Sequence, residues 1–353
     1  MNKKIITCAP LPPPNGGITN WYRILKNTAE GRGYSLINVD ISPKTDSIEK
    51  SVFYRLFVQG FSMIGLRFKL KETVKNNPDV KVAHLTTSGS LALVRDIIFL
   101  SYLKRKNIKS VLHIHFGRIP EMFYNKTMES LLMKKALKIA DCVIAIDGNT
   151  YKTLSSIVDS SKVFYIPNPV EDSQSYNPNP SKNILFLGNV IKTKGIEELL
   201  TAWSDVISSH PDWKLQIVGK YTAEYKAFLD SAFNQEGVEF LGFADHSKAM
   251  KILEDASALV LPSYTEGFPN VVIEAMIRHK PVIASDVGAI PEILSGDCGI
   301  LIKPKDVSSL SSAIEALISD EKLCQELGAN GYNKAFKNYS ADIVFNKYAE
   351  IWN

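Results

Sequence analysis

The alternation of short apolar runs with longer helical stretches, repeated along the whole chain, limits the fold more than any other feature of the sequence. The runs are rich in β-branched residues, and this alternation is typical of parallel α/β units. In the first half, the predicted strands are residues 4–9, 35–41, 80–85, 110–115, 142–146 and 162–166. In the second half, they are residues 183–188, 214–219, 238–242, 257–262, 281–285 and 299–302. Two sets of six strands predict two doubly wound Rossmann-like sheets.

A segment rich in Pro, Asn and Ser separates the two sets of strands. It reads PNPVEDSQSYNPNPSKN, and this composition is that of a linker. A chain of 353 residues also exceeds what one hydrophobic core usually serves. We therefore predict an N-terminal domain (residues 1–167), a linker (168–182), a C-terminal domain (183–338) and a C-terminal helix (339–353) that crosses back to the first domain.

The composition excludes several classes of protein. With 45% hydrophobic and 22% charged residues, the chain has the composition of a soluble globular protein. No run approaches the length of a transmembrane helix, and the apolar stretch near the N-terminus is too short for a signal peptide, so we expect a cytoplasmic protein. The four cysteines lack the spacing of a structural zinc site or of a disulfide framework.

The net charge of +4 conceals an asymmetry between the two halves of the chain. Residues 1–172 contain 25 Lys and Arg against 14 Asp and Glu, whereas residues 173–353 contain 16 against 23. One half is basic and the other is acidic, which indicates that they meet different partners. Because no nucleic-acid-binding module with aromatic stacking platforms is recognisable, we do not expect a nucleic acid among them.

The segment YTEGFPNVVIEAM follows a predicted strand, and in parallel sheets ligands bind beyond the carboxyl ends of the strands. It places Glu266 in a loop and Glu274 in an apolar helix whose first turn suits Pro269. A buried, unpaired carboxylate is costly, so Glu274 needs a polar partner. Carboxylates bind vicinal hydroxyls and a helix start favours phosphate, which together describe a nucleotide sugar. Ordinary caps and salt bridges are the structural alternative.

Two more strand exits carry groups that could bind an anion. Gly16 and Gly17 precede Thr19, a predicted N-cap, so main-chain N–H groups could approach an anionic ligand there. After the seventh strand, Lys192 and Lys194 could reach a diphosphate as point charges. An ordinary turn and a pair of solvated lysines are the respective alternatives.

The fourth strand ends in HIHFGR and carries two histidines on one face. His115 stands at the exit of this strand, where an imidazole could hydrogen-bond a substrate or transfer a proton near neutral pH. A structural histidine is the alternative for His115, and it applies more strongly to His84, inside the third strand.

The segment EGFPNVVIEAM resembles the E-x7-E signature of the retaining GT-B glycosyltransferases of family 4. The segments GGITN, HIHFG, IPNPVE, FLGNVIKTKGI and SDVGAIPEI follow the order and approximate spacing of that family, so the resemblance covers nearly the whole chain. It implies the GT-B fold, in which two Rossmann-like domains face each other across a cleft. It also implies sugar transfer from a nucleotide-diphosphate donor, with UDP sugars favoured, in bacterial synthesis of capsule, O-antigen or exopolysaccharide.

The resemblance implies a role for each matching residue. Glu266 would contact the transferred sugar, Lys194 would neutralise the diphosphate, and His115 would hydrogen-bond the sugar near the reacting centre. Glu274 would hold the ribose hydroxyls. The implied donor-binding residues are Gly16, Gly17, Asn189, Lys192, Gly267, Phe268, Asn270, Val271 and Glu274.

One position departs from the family pattern. Asn189 stands where the family commonly has Arg, so one of two cations for the diphosphate is missing. Lys192 could take its place, but a flexible point charge does not reproduce the bidentate fork of an arginine.

The implied reaction is a hexosyl or N-acetylhexosaminyl transfer with retention, by attack on the face of the sugar that the diphosphate leaves. The diphosphate itself would accept the proton of the acceptor, while Lys194 stabilises its charge. The sequence shows no DxD-type pair of carboxylates at a strand exit, so we predict neither a metal nor a cofactor. A nucleotide-sugar 2-epimerase of the same fold is one alternative, and a non-catalytic nucleotide-sugar-binding subunit is another.

The basic half of the chain bears on the acceptor, which the resemblance implies to be a glycan or a polyprenyl-diphosphate-linked sugar. Residues 50–75 mix apolar residues with Arg and Lys, as basic amphipathic helices at anionic membranes do. We hypothesise that this segment meets the inner face of such a membrane, which would make the protein peripheral there. An ordinary helix with a solvated basic edge is the alternative.

Overall fold

The computed structural model describes residues 2–13, 16–42, 52–173 and 176–353, with the backbone alone over residues 52–62. Parts of the basic segment 50–75 and of the predicted linker therefore lie outside the described residues.

Every predicted strand is present, with ends that differ from the prediction by at most two residues. The strands of the first half are β1 (Lys3–Ala9), β2 (Tyr34–Asp40), β3 (Val82–Thr87), β4 (Lys109–Ile114), β5 (Cys142–Ala145) and β6 (Val163–Tyr165). Those of the second half are β7 (Asn183–Leu187), β8 (Lys214–Val218), β9 (Val238–Gly242), β10 (Ala258–Leu261), β11 (Val282–Ser285) and β12 (Ile300–Ile302). Their apolar, β-branched composition suits strands that are covered on both faces.

Helices connect the strands. In the first half they are α1 (Gly17–Ala29), α2 (Val52–Asn76), α3 (Ala92–Arg105), α4 (Ile119–Tyr124), α5 (Met128–Ile139) and α6 (Gly148–Ile157). In the second half they are α7 (Ile196–Ile207), α8 (Ala223–Ala232), α9 (His246–Asp255), α10 (Asn270–Met276), α11 (Ile290–Leu294), α12 (Val307–Ser319), α13 (Glu321–Tyr339) and α14 (Ala341–Trp352). Within the described residues, no helix has both the length and the apolar character needed to cross a bilayer.

The chain divides into two compact units, and each contains one parallel sheet. The first unit comprises residues 1–169 and 341–353, and the second comprises residues 170–340. The strand orders are β2-β1-β3-β4-β5-β6 and β12-β11-β10-β7-β8-β9, with every pair parallel. The chain order changes direction between β1 and β3 in one sheet and between β7 and β10 in the other. In doubly wound sheets, ligands bind outside the carboxyl ends of the strands at such points.

Both faces of the first sheet are covered by helices. Leu70 of α2, Phe99 of α3 and Met133 of α5 belong to one core cluster, so these helices share one face of the sheet. The other face is covered by α1 and α14, which contribute Trp21 and Trp352 to a second core cluster. The C-terminal helix is therefore part of the core of the first unit.

Candidate functional site

In the second unit, the loops that follow β7 and β10 meet at the switch point of the sheet. The main-chain N–H of Tyr264 donates to the carbonyl of Thr193 at 2.9 Å, which ties the two loops together. Gly195 has a φ of +73°, and a Cβ on it would lie 2.1 Å from the carbonyl oxygen of Pro262. Glycine is thus the residue that allows this close approach of the two loops.

Glu266 lies in the loop after β10 and binds a cation of the neighbouring loop. Lys194 Nζ lies 2.5 Å from Glu266 Oε1, and the hydroxyl of Ser263 donates to the same oxygen at 2.7 Å. Both charged side chains are mostly buried. Gly288 lies close against the loop that carries Glu266, because a Cβ on Gly288 would lie 2.2 Å from the carbonyl oxygen of Glu266. The structure therefore brings together two of the residues predicted as catalytic.

Glu274 lies on α10 with only 8% of its surface exposed. Its Oε1 accepts a hydrogen bond from Nε2 of His246, the first residue of α9, at 3.0 Å. The main-chain oxygen of Glu274 accepts from Arg278 Nη1 at 3.1 Å. The side chain of His246 thus supplies a polar partner for Glu274 in the apolar helix, as the structural alternative for this carboxylate expects.

The sequence analysis missed His246. A signal for it existed, since His246 directly follows Asp245, whose side chain caps α9 by accepting from the N–H of Lys248. A histidine at the start of the helix after a predicted strand lies at a strand exit, where functional side chains gather.

The other residues predicted to bind the donor lie in the same two loops or at the start of α10. Asn189 and Lys192 follow β7, and Lys192 forms a salt bridge of 3.3 Å with Glu197. The carbonyl of Gly267 accepts from the N–H of Ala289 at 2.9 Å, and the ring of Phe268 lies 5.9 Å from that of Tyr339. Asn270 and Val271 open α10.

In the first unit, Gly16 and Gly17 lie at the start of α1. Gly16 is the N-cap, in an extended conformation, and the helix begins at Gly17. The prediction of Thr19 as the N-cap was therefore wrong. Thr19 lies inside the first turn, and Gly16, a residue type that is also favoured at helix N-caps, takes the cap position without a side-chain hydrogen bond.

His115 packs beside a group of buried aromatic rings. The ring centroids of His115 and His113 lie 3.9 Å apart, and that of Trp21 lies 5.0 Å from His115. Trp352 Nε1 donates to His84 Nδ1 at 3.1 Å, and His84 Nε2 lies 3.1 Å from His113 Nδ1. Because the indole can only donate, neutral His84 carries its proton on Nε2 and donates to His113.

Burial keeps these histidines neutral. Desolvation lowers the pKa of His84 and of His115 to about 3, and it also lowers the pKa of His113 well below its ordinary value. His115 can therefore offer a hydrogen bond at neutral pH but carries no positive charge. Within the described part of the chain, no group of three or more His, Cys, Asp or Glu side chains has the arrangement of a metal site.

The family model matches the second unit and not the first. Residues 168–334, just under half of the chain, match the family model described as glycosyl transferases group 1. The capsular polysaccharide biosynthesis glycosyltransferase CapM of Staphylococcus aureus is 28% identical over 188 residues, which cover 53% of this chain and 50% of the relative. The chain spans half or less of the length of several curated relatives that it matches.

Solved structures match along nearly the whole chain. Sucrose-phosphate synthase from Thermosynechococcus elongatus has a TM-score of 0.79 at 19% identity, covering 99% of this chain and 98% of that one. The chain has the GT-B fold. HepE of Anabaena in complex with UDP-glucose also matches, with a TM-score of 0.74 at 16% identity and the same coverage of both chains. The group 1 match lies almost entirely in the second unit, and the likeness of fold extends over both units.

Proposed function

We propose that this protein is a retaining glycosyltransferase that takes a hexosyl or N-acetylhexosaminyl group from a UDP-sugar and builds a bacterial cell-surface polysaccharide. The observation that carries the proposal is the pair of carboxylates, Glu266 and Glu274, each held by a cationic or protonatable side chain at strand exits of the second unit. The group 1 match over this unit, the capsular relative and the UDP-glucose complex of HepE support it.

The donor would exchange the present partners of these carboxylates. The ribose hydroxyls would bind Glu274, which His246 orients from the neighbouring helix. The diphosphate would draw Lys194 away from Glu266, because a phosphate carries more negative charge than a carboxylate. Glu266 would then be released to bind the sugar. The ion pair thus keeps both groups in position and compensates their charge until the donor arrives.

The transfer step would take place on one face of the sugar. The bond from the acceptor oxygen to the anomeric carbon forms on the face from which the bond to the diphosphate breaks, and the acceptor proton passes to the leaving diphosphate oxygen. Lys194 stabilises the charge that develops on that oxygen. His115, as a neutral imidazole, would hydrogen-bond the sugar. This scheme requires no metal.

The acceptor would be a glycan or a polyprenyl-diphosphate-linked sugar, bound by the first unit. The basic character of residues 1–172 suits an acceptor or a membrane surface that carries negative charge.

The test is calorimetric titration with a panel of nucleoside diphosphates and their sugars, without added metal. Glu274→Ala removes a charged hydrogen-bond acceptor, so we expect the affinity for the nucleotide to fall roughly 10- to 150-fold. Glu326→Ala, an exposed carboxylate on α13, is the matched control and should bind as the native protein does. Glu266→Ala should keep the nucleotide affinity and lose turnover.

Two outcomes would contradict the proposal. If the effects of the Glu274 and Glu266 variants are exchanged, the roles are assigned wrongly. If the donor binds but is converted without any acceptor into an epimer, product analysis would identify a nucleotide-sugar 2-epimerase instead.

A further inference from the structure

The hairpin of α4 and α5 in the first unit exposes three large apolar side chains within a stretch of eight residues. Tyr124 is 85% exposed, Met128 is 79% exposed and Leu131 is 58% exposed. On the opposite side of α5, Met133 and Leu137 are buried in the core, which fixes the orientation of the helix. Clusters of exposed apolar side chains usually mark a surface that binds something.

The exposed side of α5 becomes basic after its first turns. Met128, Leu131, Lys135 and Lys138 follow one another at helical intervals of three and four residues, so they form one stripe. Lys134 lies beside this stripe. In the part of the chain that the structure describes, none of the three lysines of α5 forms a salt bridge. The acidic residue of the first turn, Glu129, is held by Arg118 at 2.6 Å.

A groove of about 760 Å³ lies beside the hairpin, between α5 and α6. Its apolar lining includes Phe123 and Leu137. The charged residues that line it are Lys134, Lys138, Lys162 and Asp159. An apolar floor with an excess of cations suits a molecule that is both apolar and anionic, as an acidic phospholipid is.

We propose that the α4–α5 hairpin and this groove dock the protein on an anionic phospholipid bilayer. The apolar side chains enter the interface, and the lysines bind lipid phosphates. A second copy of the chain fits this surface poorly, since symmetric contact would bring the lysines of α5 against each other. A soluble polyanion would leave Met128 and Leu131 exposed to water.

The helix α2, which contacts α3 as α5 does, carries a patch of similar character. It shares a core cluster with α5, so both helices cover one face of the sheet. Ile64 and Phe68 of α2 are exposed, with the basic Arg67 and Lys69 exposed beside them. The described part of the basic segment 50–75 is thus a second apolar and basic patch on this face of the sheet, separate from the α4–α5 hairpin.

This inference deepens the proposed function by naming the surface through which the first unit would reach a lipid-linked acceptor. It rests on the proposed function only for the identity of that acceptor. Lipid binding itself is measurable without donor or acceptor.

The test is flotation of the full chain with phosphatidylcholine vesicles and with vesicles that also contain phosphatidylglycerol. We expect binding to the anionic vesicles only, weakened by salt. Each lysine near an anionic surface contributes roughly a fivefold gain in partitioning, so Lys134→Gln, Lys135→Gln and Lys138→Gln combined should lower binding on the order of 100-fold. The control combines Lys303→Gln, Lys322→Gln and Lys337→Gln, which removes the same charge from the exposed surface of the second unit.

A second variant tests the apolar part of the surface. Met128→Ser with Leu131→Ser should lower binding to anionic vesicles at least tenfold, while Phe228→Ser, an exposed apolar residue of the second unit, should leave it unchanged. The proposal is overturned if the control lysine variant loses as much binding as the α5 variant, or if neutral vesicles bind equally well. It is also overturned if no vesicle binds and the Met128/Leu131 variant instead abolishes self-association in sedimentation velocity.

Titration of the same preparations with nucleotide separates the two hypotheses. Variants that bind nucleotide as the native protein does but lose the vesicles support both the donor site and the docking surface. A native protein that floats with vesicles but binds no nucleotide contradicts the proposed function and leaves the docking surface supported.

Discussion

The carboxylates of the second unit and the histidines of the first unit are in opposite electrostatic states. In the second unit, Glu266 and Glu274 lie within hydrogen-bond distance of Lys194 and His246, and these side chains are partly accessible to solvent. In the first unit, His84 and His115 lie among aromatic rings, where burial keeps them neutral. Among these groups, the charges that can respond to an anionic donor are therefore in the second unit, and the histidines of the first unit offer neutral hydrogen bonds.

The difference follows from the cost of desolvation. A charged group that leaves water must gain a partner or lose its charge. The carboxylates of the second unit gain partners, because the loop after the neighbouring strand β7 brings Lys194 to Glu266 and the helix α9, which contacts α10, brings His246 to Glu274. The histidines of the first unit lose their charge, since the rings that surround them supply no compensating carboxylate.

The largest expected effect tests the charge of the second unit. Lys194→Met removes the cation that would stabilise the leaving diphosphate, so turnover should fall roughly 100- to 1000-fold in a steady-state assay of product formation. Lys322→Met, an exposed lysine of α13, is the control. Lys194→Met also leaves the carboxylate of Glu266 without its cation. The double variant Lys194→Met, Glu266→Gln removes that unpaired charge, so turnover should be measured for it too. Equal turnover for Lys194→Met and the control would contradict the assignment of a functional charge to the second unit.

An intermediate effect tests the neutrality of the first unit. The unfolded chain protonates its histidines near pH 6.5, whereas burial holds the pKa of folded His84 at about 3. The contribution of neutral His84 to the free energy of unfolding is therefore fully present above pH 6.5 and is lost as the pH falls toward 3. At pH 5, His84 alone should lower the free energy of unfolding by about 2 kcal/mol.

Urea unfolding at pH 7 and pH 5, followed by tryptophan fluorescence, measures this loss. His84→Gln should reduce the difference in the free energy of unfolding between the two pH values. His210 is a partly exposed histidine of the second unit, and His210→Gln should reduce this difference less. A native protein whose stability is equal at the two pH values would show that the buried histidines do not behave as neutral groups.

The smallest expected effect concerns His246, a positioning residue for Glu274. His246→Ala should raise the KM for the donor roughly three- to tenfold with little change in kcat, because it removes one hydrogen bond to the carboxylate. His246→Gln, which restores a donor, should recover part of the loss. His210→Ala breaks another His–Glu pair, with Glu315, and serves as the control. A fall in kcat with unchanged KM would assign His246 to the chemical step instead.

Much of the fold was predictable because its signal is local. Each strand of both sheets is an apolar, β-branched run between helical stretches, and burial of both faces of a parallel strand demands such a run. The sequence also singled out Glu266, Lys194 and Glu274, since each lies in a loop after a predicted strand or on the helix that follows it, and their roles stay predictions. The capping of α1 by Gly16 rather than Thr19 was not, because several residues near a helix start can satisfy the same local rule.

The sequence by itself determined the strands, the helices that cover them and the side chains at the strand exits, because these depend on the order of apolar and polar residues. Only the tertiary structure decided which of these side chains meet. Lys194 and Glu266 are 72 residues apart, and His246 and Glu274 are 28 apart. The first pair forms because β7 and β10 are neighbours in the sheet although they are far apart along the chain, and the second forms because α9 packs against α10.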